Sequence, residues 1–362
     1  MQIKKFDVFD FFRGVAIFLV IINHIPYHNF IYDNNFGILQ KNFFLFGTYG
    51  VQLFYLISAI TLFKSMKERN ENTFIPFFLR RFFRVAPLFY LGILIHTVYF
   101  STIFEERLTI ENILKNIFFL NNLVPPAQDL ILGGQTIATE MNFYLLLPLL
   151  FLFLTSYKKT LLFLFFYLFF LIIINHYSPL IFEEKSFGDI NFYRTIYVQL
   201  FIFLFGINLY YVLYESNKIK NFNSKKLNLN IKKIIPYIFI FLIILSLGKK
   251  VPEYFYFRNM FIVTNIFFFI IIFSITFNHI LSKIFFYNFF VKLGRVSFSA
   301  YIFHWIVIDI VKKIFFFYEI KHFYLIFFVL IALFLTYLVS KFFYKIEIFF
   351  INIGKNYNDK KM

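Results

Sequence analysis

The chain has 362 residues, 60% of them hydrophobic, with 64 Phe, no Cys and a formal net charge of +17. This composition excludes a soluble globular domain, and the lack of cysteine excludes disulfides, a thiolate nucleophile and cysteine metal sites. The positive charge fits basic cytoplasmic loops and not a nucleic-acid surface, because apolar runs of about 20 residues recur along the whole length, each enough to cross a hydrocarbon core of roughly 30 Å.

Hydropathy predicts an all-α, polytopic membrane bundle of ten spans, near 8–27, 44–63, 80–100, 137–155, 160–175, 194–214, 234–248, 259–278, 294–311 and 323–343. The first has no small-residue cleavage site and reads as a retained span, not a signal peptide. The fifth and seventh are short, as in tilted or partly re-entrant segments. Glu111–Leu120 is helical in pattern but only half apolar, which predicts a helix lying on the surface. No linker, soluble domain or internal repeat is visible. The chain therefore reads as one transmembrane domain, 1–345, followed by a short basic cytoplasmic tail, 346–362. With the N-terminus inside, cytoplasmic segments hold about 24 Lys and Arg against about 11 outside, and both termini are then cytoplasmic.

Polar residues inside these spans carry the functional signal. In the first span, Arg13 and His24 are eleven residues apart, so they share a helix face and lie roughly 16 Å apart along the axis. Arg13 reads either as an interface anchor whose side chain reaches the headgroups or as a group facing the protein interior. His24 reads as a structural histidine or a proton acceptor. Arg81 and Arg84 open the third span on one face, as topology anchors or as an anion site, since guanidinium forks match phosphate oxygens. Glu140 lies about one turn into the fourth span, at the expected level of His24, and a carboxylate there can hold a histidine as the acidic member of a triad does. The ninth span carries Arg295, Ser297, Ser299, Tyr301 and His304, whose hydroxyls also suit plain helix–helix bonding. His28, His96, His176, His279 and His322 read as structural.

Five stretches together resemble the acyltransferase 3 family of integral membrane acyltransferases. FDFFRGVAIFLVIINH is similar to its opening motif, an Asp, an Arg-Gly and a His eleven residues after the Arg; GTYGVQLFYLISAITL resembles its Gly-Val-x-x-Phe-(Phe/Tyr)-x-x-Ser-Gly segment. RRFFRVAPLFYL resembles Arg-x-x-Arg-x-x-Pro, TEMNFYLLLPLL the tail of Trp-Ser-x-x-x-Glu, and LGRVSFSAYIFHW the closing motif. The match covers about residues 6–150 and 291–306; Gln135-Thr136 replaces the family Trp-Ser, and Ser58-Ala59 replaces Ser-Gly.

The resemblance implies transfer of an acyl group, acetyl by family default, from acetyl-CoA to a hydroxyl of a cell-surface or lipid-linked glycan such as lipopolysaccharide. It implies a stand-alone enzyme of the bacterial cytoplasmic membrane, with no metal and no nucleic-acid partner. Arg13, Arg81 and Arg84 would hold coenzyme A phosphates. His24 would be the general base, with Glu140 orienting it or meeting the acceptor; direct transfer and an acyl-histidine intermediate both remain open. Asp10, Ser58, Tyr301 and His304 are candidate substrate contacts. Two rival readings are a flippase for lipid-linked sugars, since intramembrane Arg, His and Glu also suit ion coupling, and a non-catalytic assembly protein.

Overall fold

The computed structural model describes residues 7–25, 46–69, 74–101, 107–123, 128–181, 195–215, 234–238, 240, 255–276, 283, 286–316 and 324–359. Among the described residues the backbone is helical almost throughout and holds no strand. Lipid offers backbone N–H and C=O groups no partners, so each spanning segment satisfies its own.

The first three spans form α1 (Asp7–His24), α2 (Gly50–Arg69, behind a 3-10 turn at Gly47–Tyr49) and α3 (Phe74–Tyr99). The predicted surface helix is α4 (Ile110–Ile117); the Thr109 hydroxyl caps it by accepting from the Asn112 N–H, and Ile110 and Leu114 stay exposed. Then come α5 (Gly134–Phe153), α6 (Tyr157–Ile181), α7 (Ile196–Tyr210, ending in a π turn at Tyr211–Glu215) and α8 (Phe255–Thr276). Last are α9 (Tyr287–Arg295), α10 (Ser297–Phe316) and α11 (Tyr324–Asp359). The span expected at 234–248 lies mostly outside the described residues.

Three expectations change. The fifth span is a full helix of 25 residues, because it extends beyond its apolar run from Tyr157 at one end to Ile181 at the other. The ninth breaks at Val296 with a bend of 89°, so Gly294 and Arg295 belong to a separate crosswise helix. The segment from 346, read as a tail, continues α11 as far as Asp359. Among the described residues, five helices are long and apolar enough to cross a bilayer, six if α9 and α10 count as one bent span. Asp7, Asp10 and Arg13 keep α1 from that set, and Gln52, Lys64 and Lys67 lower the apolarity of α2. Both helices are enclosed by protein: α1 packs on α2, α9 and α10, and α2 also on α7. Peripheral α6 and α11 instead present Phe166, Phe169, Phe334 and Phe342 outward, as lipid-facing helices do.

Close crossings depend on small residues. A Cβ on Gly14 of α1 would stand 1.9 Å from the Phe290 carbonyl oxygen, and one on Gly294 of α9 1.7 Å from the Asp10 carbonyl oxygen. The backbones of α1 and α9 therefore touch, as in small-residue helix interfaces. Arg295 locks the crossing, with NH2 3.1 Å from Asp7 Oδ1 and Nε 3.6 Å from Asp10 Oδ2. At the α2–α7 crossing, Gly206 accommodates Ala59, since a Cβ there would lie 2.6 Å from that of Ala59. The glycine of the family Ser-Gly pair is thus replaced by alanine where the opposite helix supplies a glycine.

Gly14→Ala and Gly294→Ala each lower the thermal unfolding midpoint of the detergent-solubilised protein, with about 1–3 kcal/mol lost to overpacking. An unchanged midpoint in both variants would contradict the backbone contact.

Candidate active site

Helices α1, α2, α3, α5 and the start of α10 enclose a cavity of about 250 Å³. Its wall carries Arg13, Ser58, Thr61, Arg81, Arg84, Glu140, Tyr144, Thr136 and Tyr301, among apolar side chains. The three arginines picked out in the sequence thus converge. Arg13, less than two turns into α1, faces inward, and the three-residue spacing of Arg81 and Arg84 puts both on the inner face of α3.

Their surroundings differ. Arg13 is tied down: NH1 donates to Asp10 Oδ1 at 3.1 Å and NH2 to Thr61 Oγ1 at 3.1 Å. The Thr61 hydroxyl in turn donates to the Ile57 carbonyl at 2.7 Å, so its oxygen is oriented to accept. Arg81 has its Nε buried with no acceptor among the described residues, and its guanidinium lies 5.8 Å from the centre of the Phe77 ring. Arg84 interacts electrostatically with Glu347, Tyr144 and Glu140, and is repelled by Arg13 and Arg81. Glu140 is the only carboxylate on the cavity wall among the described residues, so the wall is net positive. A buried guanidinium whose Nε has no acceptor, in such a wall, suits an anion.

Glu140 accepts a hydrogen bond from the Ser58 hydroxyl and interacts electrostatically with Tyr144. It does not take the position expected beside His24. It lies six residues into α5, about 9 Å along its axis, on the cavity wall with Arg13, Arg81 and Arg84. Asp10 does not line the cavity; it is held between Arg13 and Arg295.

His24 meets His304 instead. Its Nδ1 lies 2.9 Å from His304 Nε2, and Trp305 packs on the His24 ring with centroids 4.3 Å apart. His304 is fully buried, with its Nδ1 2.7 Å from the Tyr301 carbonyl oxygen. Tyr301 belongs to both centres. Its hydroxyl, on the cavity wall, donates to the Gly133 carbonyl at 3.1 Å, while its own carbonyl faces His304. Gly133 has φ +84°, a left-handed conformation, and a Cβ there would lie 2.9 Å from the Tyr301 hydroxyl. Thr136, in place of the family serine, lines the cavity, and its carbonyl accepts from the Tyr55 hydroxyl at 3.2 Å. His96 is structural, joining α3 to the Ile302 carbonyl of α10 at 2.8 Å. His28, His279 and His322 lie outside the described residues, as does the side chain of His176.

Glu347 escaped the sequence reading. It is buried in α11, accepts from the Ser299 hydroxyl at 3.1 Å and faces Arg84 and Arg13 electrostatically. The signal was a face of α11, Ser340, Tyr344 and Glu347 at four- and three-residue spacing, hidden because hydropathy ended the span at 343.

In the absence of any donor, Arg13→Met lowers the thermal unfolding midpoint, through loss of charge-assisted bonds of about 1.5–3 kcal/mol. Arg81→Met leaves the midpoint unchanged or raises it, because it removes a buried charge whose Nε has no acceptor among the described residues and which Arg84 repels. The opposite order in detergent melts would show that Arg81 serves stability and not a ligand.

A family model, acyltransferase 3, described as an acyltransferase domain, matches residues 6–344. No curated protein and no solved structure matches the chain.

Proposed function

The chain belongs to this acyltransferase family and is a multi-pass membrane acyltransferase; within that activity we propose that it moves an acetyl group from acetyl-CoA to a hydroxyl of a cell-surface or lipid-linked glycan, in the cytoplasmic membrane of a bacterium. One observation supports the donor assignment: the net-positive cavity with Arg81 on its wall, its Nε buried without an acceptor among the described residues. Coenzyme A phosphates are anions of the kind that guanidinium forks bind. Arg84 joins Arg81 in that role, and Arg13, braced by Asp10 and Thr61, completes the positive wall. Glu140, held by Ser58, is the counter-charge that keeps the arginines apart and correctly turned, not the orienter of His24.

The flexible arm of the donor then passes Tyr301 toward His24, which lies roughly 16 Å from Arg13 along α1. His24 takes the proton of the attacking glycan hydroxyl. The hydroxyl oxygen bonds to the thioester carbonyl carbon, the carbon–sulfur bond breaks, and the proton passes from His24 to the departing thiolate. The products are an acetyl ester and free coenzyme A, so the step balances without a metal. With the N-terminus cytoplasmic, the arginine end faces the cytoplasm and His24 the other side, so donor and acceptor enter from opposite faces.

His24→Ala abolishes glycan acetylation, read by mass spectrometry of surface glycans, while the protein still inserts; near-normal acetylation would remove the base role. Arg81→Ala and Arg84→Ala weaken acetyl-CoA binding roughly ten- to a hundredfold, from a lost charge-assisted bond of about 1.5–3 kcal/mol. Unchanged donor titration curves in both would leave them as topology anchors. In sealed vesicles of known orientation, acetyl-CoA on the cytoplasmic face supports acetylation of glycan on the other; a requirement for both on one face would overturn the two-sided route.

A further inference from the structure

We propose that His304 is a positioning residue that fixes the tautomer of His24, so that Nε2 of His24 is the atom that takes the proton. The inference rests on the base role of His24 for its catalytic meaning, but its structural content stands apart from it. The Tyr301 carbonyl oxygen lies 2.7 Å from His304 Nδ1. A carbonyl only accepts, so His304 Nδ1 carries hydrogen. The hydrogen-bond partners of His304 among the described residues are backbone carbonyls and His24, with no carboxylate, and it is fully buried. A cationic imidazolium there would be an unpaired charge in an apolar interior, which is strongly disfavoured. His304 is therefore neutral, with its single hydrogen on Nδ1 and a lone pair on Nε2.

That lone pair points at His24 Nδ1, 2.9 Å away. Two lone pairs cannot share a hydrogen bond, so His24 Nδ1 must donate. Neutral His24 then has its lone pair on Nε2, away from His304. The hydrogen-bond chain runs from His24 Nδ1–H to His304 Nε2, and from His304 Nδ1–H to the Tyr301 carbonyl. This is the task of the carboxylate in a serine-protease triad, done here by a neutral imidazole that needs no buried counter-charge. When His24 takes the hydroxyl proton on Nε2, its Nδ1–H stays on His304. The proton then leaves from Nε2 to the thiolate, and His304 ends unchanged. The turn bearing His304 is itself braced, since the Ile302 carbonyl accepts from His96 at 2.8 Å. Trp305 holds the His24 ring by packing at 4.3 Å.

Two measurements test this. The first needs no activity: nitrogen NMR of protein labelled with 15N-histidine in bilayers, the signals assigned by difference with His24→Ala and His304→Leu. Both His24 and His304 are expected in the neutral Nδ1–H form, and His24 in His304→Leu is expected to move toward the Nε2–H form that free histidine favours. A His24 in the Nε2–H form in the intact protein, or a charged His304, overturns the proposal whether or not His24 is the base.

The second is turnover in proteoliposomes, with acetyl-CoA as donor, lipid-linked glycan extracted from the source membranes as acceptor, and free thiol release as readout. His304→Leu lowers kcat about a hundredfold or more, with the acetyl-CoA KM within twofold. His304→Gln, whose amide oxygen can reach the place of Nε2, recovers at least tenfold over His304→Leu. His304→Asn is too short to reach His24 and stays as low as His304→Leu, so the comparison of Gln with Asn decides the matter even where His304→Leu fails to fold. Equal kcat in Gln and Asn variants, or a change in KM alone, overturns the positioning role. Full turnover in His24→Ala would instead sink the base role, leaving the NMR result to judge the tautomer.

Discussion

Asp10 lies between two guanidiniums, those of Arg13 and Arg295, and joins the first helix of the chain to a helix near its end. The Arg13–Asp10 pair forms within α1, whereas the half-exposed Arg295 reaches Asp7 and Asp10 only when α1 and α9 are in register. The register in turn requires Gly14 and Gly294, whose missing side chains let the two backbones touch. Once α1 is seated, Arg13 has one place to go, into the cavity beside Arg81 and Arg84. The 89° break at Val296 follows from the same lock: α9 must lie across α1 to bring Arg295 to Asp10, while α10 must run along the bundle to bring His304 to His24.

The interior is thereby divided into two chemical regions that meet at Tyr301. One is charged, with three arginines and Glu140 about a common cavity. The other holds two imidazoles hydrogen-bonded to one another and to backbone, with an indole packed on the His24 ring. The separation has a physical logic. Guanidiniums suit the recognition of phosphate but would repel a proton-accepting imidazole as it becomes positive. Setting the histidine pair about three helical turns from the arginines weakens that repulsion.

Glu140 illustrates how far residue spacing alone could reach. Its presence as a functional carboxylate was legible, since a lone Glu in an apolar helix needs a reason. Its partner was not, because depth was counted from a hydropathy boundary at 137, whereas Gly133 in its left-handed conformation starts the helix at Gly134. A shift of three residues moves a side chain by nearly one turn along the axis and about 60° around it, enough to exchange a histidine neighbour for arginines. Glu347 was lost by the same kind of error at the other end of a span: the hydropathy window closed while the helix went on.

The sequence alone contained the helices, because a run of apolar residues in lipid has no other way to satisfy its backbone. Helical spacing also put Arg81 and Arg84 on one face and Arg13 on the face of His24, while the choice between lipid anchor and interior group for each was left to the packed bundle, which lines one cavity with all three. Pairings between distant segments were not there to be read. That His24 meets His304 across 280 positions depends on the bend at Val296 and on two glycines that let α1 and α9 approach. Such contacts are set by the rotation and depth of whole helices, quantities that arise when the bundle packs and that no local pattern of residues encodes.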